Sequence, residues 1–130
     1  MRFSHGQFTV IRTPAFDRLT AEYTREHPRL PEDLDWLSGR LTEAPELMGD
    51  HVPELARVAL PIFKTRCKDG CHRIGASGAW RVYYALHKPA KKVFLLFLHH
   101  KREYENPGAK FLFQKMERAF ASVAERRPGK

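Results

Sequence analysis

The spacing of apolar residues changes halfway along the chain. In the first half they recur three or four positions apart in two consecutive segments, which is the spacing of one helix face. Thr13-Pro14 is typical of a helix start, so the first helix is expected to begin at Pro14 and to stop before Pro28. A second helix is expected from Pro31, and the short link between the two favours an antiparallel helical hairpin.

Elsewhere apolar and polar residues alternate, which predicts strands. The expected strands span residues 7–12, 61–67, 80–87 and 92–99. The last two are expected to pair as a hairpin through a turn at 88–91. Residues 44–60 are interrupted by proline and glycine, so they are expected to form an irregular connection with one short turn at 53–58. Helical spacing returns from Pro107 and predicts a C-terminal helix.

The element order β-α-α-β-β-β-α predicts an α+β domain. It would have one small antiparallel sheet, an N-terminal helical hairpin and a C-terminal helix, with the helices on one face of the sheet. The length of 130 residues fits a single domain over residues 1–130 that ends in a basic tail at 126–130. The longest apolar run is far shorter than the roughly 18 residues that cross a bilayer. Neither a membrane partner nor a signal peptide is expected, which favours a cytoplasmic protein.

Basic residues are concentrated in the second half of the chain. Residues 1–60 hold 7 Lys/Arg and 10 Asp/Glu, whereas residues 61–105 hold 10 Lys/Arg and 3 Asp/Glu. The whole chain carries a net charge of +8. Such a field attracts a polyanion such as RNA. A surface that serves only solubility stays open as an alternative.

Lys64, Arg66 and Arg81 fall within the predicted strands 61–67 and 80–87. Lys64 and Arg66 are two residues apart, so they point to the same face of their strand, and Arg81 joins them if its strand is adjacent. Arginine binds phosphate through two parallel hydrogen bonds, and lysine provides a point charge. The pattern predicts a phosphate-binding sheet face, with an ordinary solvated face as the alternative.

Cys67, Cys71 and His72 have a spacing that is compatible with zinc. No second pair of ligands follows at a familiar spacing, so no metal site is expected, and no small-molecule cofactor is indicated. Two cysteines also do not make a disulfide framework in a chain of this length.

Several segments of this half resemble one protein family. They are Phe63-Lys64-Thr65-Arg66, the glycine-rich GASG at 75–78, Trp80-Arg81-Val82-Tyr83-Tyr84 and HHKREYEN at 99–106. RelE-like toxins commonly carry the pattern K-x-R…G-x-S-G-G-x-R-V-x-Y, so the chain resembles the RelE/ParE superfamily of small bacterial and archaeal toxins. The element order resembles that family over about residues 7–120, and the motifs do so over residues 61–106.

The resemblance implies the toxin of a type II toxin–antitoxin system, acting as a ribosome-dependent mRNA endonuclease (an mRNA interferase). Its partners would be a cognate antitoxin protein, the ribosome and mRNA. Cleavage would use the RNA 2′-OH as nucleophile and need no metal. The protein would then have to help remove a proton, stabilise charge on the phosphorane and protonate the leaving oxygen.

The candidate catalytic residues are Lys64, Arg66, Arg81, Arg102, Tyr104 and His100, and the candidate RNA-binding residues are Lys68, Arg73 and Lys101. Arg102 matches an arginine that the family carries after its last strand. The family's tyrosine is missing at its usual offset, so Tyr104 is the candidate to stack on a base or to move a proton. His100 is the candidate acid or base. Lys68 and Arg73 lie in a glycine-rich loop whose N–H groups can approach a phosphate.

Three other functions stay open. A non-catalytic toxin of the same fold would inhibit a protein target such as gyrase. A degenerate RNA-binding module would keep the basic face without the proton-transfer groups, and the displaced tyrosine favours this alternative. A structural protein from a phage or mobile element would carry its charge for solubility.

Overall fold

A computed structural model describes residues 7–55, 60–67, 80–104 and 107–124, and within them the fold is α+β, as the sequence predicts. The helices are α1 (Pro14–Thr24), α2 (Leu30–Glu43), α3 (Pro45–Met48) and α4 (Ala109–Val123). The strands are β1 (Thr9–Arg12), β2 (Asp50–His51), β3 (Ile62–Cys67), β4 (Trp80–His87) and β5 (Lys92–His100). The glycine-rich loop with Lys68, Cys71, His72 and Arg73, the end of the expected 53–58 turn and the basic tail lie outside the described residues.

The five strands form one mixed sheet in the order β1-β5-β4-β3-β2. The predicted antiparallel sheet is wrong at one edge, because β1 runs parallel to β5 while the other pairs are antiparallel. No hairpin turn joins β1 to β5, so nothing forces them into opposite directions. The connection expected to be irregular contains α3, the edge strand β2 and a 3₁₀ turn at Pro53–Leu55.

Helices cover both faces of the sheet, not one as expected. On one face, Phe16 of α1 and the leucines of α2 pack against Trp80 and Val82. On the other, Leu112 and Met116 of α4 pack against Tyr83. The reason lies in β4 and β5, which are buried on both faces over residues 82–86 and 95–100 and therefore need two covering layers. No helix within the described residues is long and apolar enough to cross a membrane.

A β-bulge interrupts the pairing of β4 with β5. Tyr84 is paired with Leu95, whereas the preceding residue, Tyr83, is paired with Phe97. Leu96 is therefore the extra residue, and both Leu96 and Phe97 pack in the cluster on the α4 face. A bulge of one residue exchanges the two faces for every residue beyond it. His99 consequently lies on the α4 face and His100 on the face covered by α1 and α2.

Candidate active site

The cations predicted on the sheet lie together on the α4 face, within one short stretch of β3 and β4. Arg66 is directly opposite Arg81, and Arg81 is directly opposite His99 on β5. Lys64 is opposite Tyr83, two residues further along each strand on the same face. Lys64, Arg66 and Arg81, called here the cation row, therefore share a face with a histidine and a tyrosine.

Two arginines that face each other across a strand pair repel one another. Arg81 is half-buried, and its pKa is lowered, first by burial and then by the charge of Arg66. This repulsion works against folding, and a bound anion would relieve it. The geometry is therefore suited to a ligand that carries negative charge, such as a phosphate group.

The cation row borders a cleft of about 190 Å³ between the sheet and the beginning of α4. Its lining residues are Val52, Glu54, Lys64, Arg81, Tyr83, His99, Pro107, Ala109 and Leu112. The cleft thus brings together two cations, a carboxylate, a phenol and an imidazole. These groups can bind an anion and move protons at the same place.

His99 is held in one tautomer. Its Nδ1 lies 3.3 Å from the carbonyl oxygen of His100, which only accepts hydrogen bonds, so Nδ1 carries the proton. Its Nε2 lies 3.4 Å from the Tyr83 hydroxyl and is left as an acceptor. His99 is only 1% exposed, and burial lowers its pKa. The hydrogen bond to the His100 carbonyl oxygen and the charge of Glu103 oppose this shift, whereas the charges of Arg81 and Lys64 add to it. The imidazole is therefore neutral at pH 7 and can accept a proton.

Tyr83 supplies the matching donor. Burial raises its pKa to about 12; the charge of Arg81 opposes this shift and that of Glu54 adds to it. The phenol therefore keeps its proton at pH 7 and points it toward His99 Nε2. Together the two side chains form a donor–acceptor pair at the wall of the cleft.

Tyr104 is the other predicted residue that reaches this group. Its ring meets His99 edge-on at 5.4 Å between centroids and contacts Phe111 of α4 at 5.1 Å. It is 38% exposed, so part of the side chain is accessible to a ligand. Arg102 and Lys101 lie just before it in the turn that follows β5, Arg102 exposed and Lys101 half-buried.

His100, the candidate acid or base, does not lie in the cleft. Its ring lies on the opposite face of the sheet, 4% exposed, edge-on to Trp80 and stacked on His27. The cause is the bulge at Leu96, which directs His99 rather than His100 to the side of Arg81.

Sequence reasoning missed His99, Tyr83 and Glu54. Tyr83 could have been found, because it is two residues from Arg81 and therefore shares its face. His99 is hidden by the bulge, and Glu54 reaches the cleft from a segment expected to be irregular. Nothing in the local sequence marks either of them.

No group of three or more His, Cys, Asp or Glu side chains is placed to hold a metal ion within the described parts of the chain. No protein-family model matches the chain, and no curated protein matches it significantly.

Proposed function

We propose that the protein is a toxin of the RelE/ParE type, the toxic partner of a type II toxin–antitoxin pair, which cleaves translated mRNA through the RNA 2′-OH. The observation that carries this proposal is the alignment of Arg66, Arg81 and His99 across three neighbouring strands. Lys64 and Tyr83 form the adjacent pair on the same face. Cations on a rigid sheet can stabilise the phosphorane without reorganising, which is usually the largest contribution to catalysis.

The Tyr83–His99 pair accepts the first proton. As the 2′-oxygen attacks the phosphorus, the phenol oxygen takes the 2′-OH proton while its own proton passes to Nε2 of the neutral imidazole. Because the pKa of Tyr83 is raised to about 12, a free phenolate is not formed at neutral pH and both transfers occur together.

The cation row supports the remaining steps. Arg81 and Arg66 bind the two non-bridging oxygens, where negative charge increases in the transition state. Lys64 is exposed beside the cleft, and its ammonium group protonates the 5′-oxygen as the P–O bond breaks. Tyr104 stacks on a base next to the cut site, since aromatic rings hold single-stranded bases in this way.

The products of this reaction identify it. Attack by the 2′-OH leaves a 2′,3′-cyclic phosphate on one fragment and a 5′-hydroxyl on the other. The protein should be induced in growing cells and the ends of ribosome-bound mRNA mapped and chemically typed. The same cut should then be tested on translated mRNA that carries a single 2′-deoxynucleotide at the mapped site, where cleavage should be lost.

Other outcomes would contradict the proposal. Fragments with 5′-phosphates, or cleavage of the 2′-deoxy substrate, would exclude the 2′-OH as nucleophile. Growth arrest with intact mRNA would favour a toxin that binds a protein target. RNA binding with neither arrest nor cleavage would favour a non-catalytic RNA-binding module.

A further inference from the structure

A cluster of aromatic side chains lies directly behind the cleft, on the opposite face of the sheet. Trp80 is at its centre, edge-on to Tyr23, His27 and His100 at 4.8 to 5.0 Å between ring centroids. His27 and His100 are stacked at 5.4 Å with 23° between their planes. These contacts restrain the orientation of the His100 imidazole, because its ring stacks on His27 and lies nearly perpendicular to Trp80.

His100 faces the cluster with its ring and holds the following turn with its polar atoms. Its Nδ1 accepts a hydrogen bond from the Arg102 backbone N–H at 3.1 Å. Its carbonyl oxygen accepts from the Glu103 N–H at 2.9 Å and from His99 Nδ1 at 3.3 Å. One residue thus holds the turn after β5 at two points and also fixes the tautomer of His99.

Tyr23 of α1 forms a hydrogen bond to the same turn. Its hydroxyl donates a hydrogen bond to the Glu103 carboxylate. Burial and this contact raise the pKa of Tyr23, so the phenol remains a donor across the neutral range. Segment 101–104 is therefore held from behind the sheet, while Tyr104 at its end packs on His99 at the cleft.

We propose that His100 is a positioning residue, which sets the 101–104 segment so that Arg102 and Tyr104 are presented to the RNA. This inference rests on the proposed function, because it assigns a purpose to the segment only if the cleft acts on RNA. The His100 side chain has both a hydrogen-bond acceptor at Nδ1 and a ring that packs against Trp80 and His27. A structural role requires only the ring, whereas a positioning role requires the acceptor.

Two substitutions separate these properties. His100→Asn places an amide oxygen where Nδ1 stood and so keeps the acceptor, but it loses the ring. His100→Phe keeps the ring and loses the acceptor. We expect the Asn variant to retain most of the cleavage rate despite a lower melting temperature. We expect the Phe variant to remain folded with kcat reduced roughly 10- to 100-fold and KM changed little, as for a small misplacement of catalytic groups.

Amide hydrogen exchange gives a readout that does not depend on activity. The Arg102 amide should exchange about five- to tenfold faster in His100→Phe than in wild type or His100→Asn, as expected for one lost hydrogen bond. Equal exchange in the two variants, or a fully active Phe variant beside an inactive, folded Asn variant, would overturn the proposal. If the wild-type protein cleaves no RNA, the proposed function fails, and the exchange comparison still decides whether His100 holds the turn.

Discussion

At the scale of single residues, two like charges lie close together on the sheet beside the cleft. Arg66 and Arg81 face each other, and the burial of Arg81 increases the cost of keeping both charged. His99 beside them is neutral and buried, although it carries a polar ring that water would otherwise solvate. Both features lower stability and both suit phosphate chemistry. Such compromises are expected where a site serves function more than folding.

The neutral state of His99 has a measurable consequence for stability. Its pKa in the folded protein is lowered from the ordinary value of 6.5. Between the folded and unfolded pKa values the unfolded chain binds the proton and the folded protein does not, so the free energy of unfolding rises with pH in that window. The part of the stability that depends on this group is lost as pH falls below 6.5. Urea unfolding at a series of pH values should show this slope, which is at most about 1.4 kcal/mol per pH unit for one proton.

The comparison variant is His99→Gln, which keeps polarity and removes the titration. We expect the difference in unfolding free energy between wild type and His99→Gln to change with pH below 6.5 and to be constant above it. Lys92→Ala, at the opposite end of β5 from His99, should reproduce the wild-type slope. A wild-type curve parallel to that of His99→Gln throughout would mean that the imidazole is not held neutral.

At the scale of elements, close packing fixes the position of Lys64. Gly49 follows α3 and passes so near β3 that a Cβ atom there would lie 2.7 Å from the Lys64 carbonyl oxygen and 2.8 Å from the Tyr84 hydroxyl. The Tyr84 hydroxyl is itself fixed, since it donates to the Pro45 carbonyl oxygen at 2.6 Å. Neither of these two oxygen atoms can move easily, so the close approach of the two segments requires a residue without a Cβ atom. Its backbone is otherwise ordinary and extended.

Two glycines therefore give opposite predictions for the same substitution. Gly49→Ala should lower the free energy of unfolding by about 1–3 kcal/mol, because the added methyl group overpacks a rigid contact. Gly39 lies inside α2, and a Cβ atom there would have nothing within 4 Å. Gly39→Ala should therefore raise the free energy of unfolding by roughly 0.5–1 kcal/mol through helix propensity. Chemical denaturation of both variants measures this. Equal effects of the two changes would contradict the packing described at Gly49.

The sequence predicts the elements well and their arrangement less well. Thr13 is the expected cap, with its hydroxyl accepting from the Phe16 N–H at 3.2 Å, and the expected β4–β5 hairpin forms. These features depend on local spacing and capping chemistry. The parallel β1–β5 pair and the position of α4 depend on long-range packing that no local pattern encodes.

The candidate site also contains residues that local spacing predicts and residues that it does not. Alternation along β3 places Lys64 and Arg66 on one face, and the adjacent β4 adds Arg81. The choice between His99 and His100 depends on the bulge at Leu96, an irregularity without a marker such as glycine in its sequence. A single inserted residue was enough to exchange a residue in the cleft for one behind it.

At the scale of the whole molecule, charge is divided between the two halves of the chain, and the basic half builds the cleft. For binding of single-stranded RNA, the logarithm of the association constant should therefore fall linearly with the logarithm of the salt concentration. Each alanine substitution at Lys64, Arg66 or Arg81 should reduce the slope by about 0.7, the value for one lost phosphate contact. Lys92→Ala should leave the slope unchanged, and a slope unaffected by any of the three changes would place the RNA elsewhere.

The comparison of Arg81→Ala with Lys92→Ala tests the central claim most directly. Both remove one cation, but Lys92 is exposed at the opposite end of β5, seven residues and roughly 20 Å from His99. Cleavage by Arg81→Ala should fall by about two to three orders of magnitude, with partial recovery in Arg81→Lys, which lacks the two-pronged contact.

Stability is measured beside the cleavage rate. The free energy of unfolding of Arg81→Ala should change by no more than about 1 kcal/mol, because the side chain is half-buried and outside the core. Lys92→Ala should cleave at the wild-type rate. A folded Arg81→Ala protein that cleaves mRNA as fast as Lys92→Ala would contradict the account, because the cation row would then have no part in the reaction.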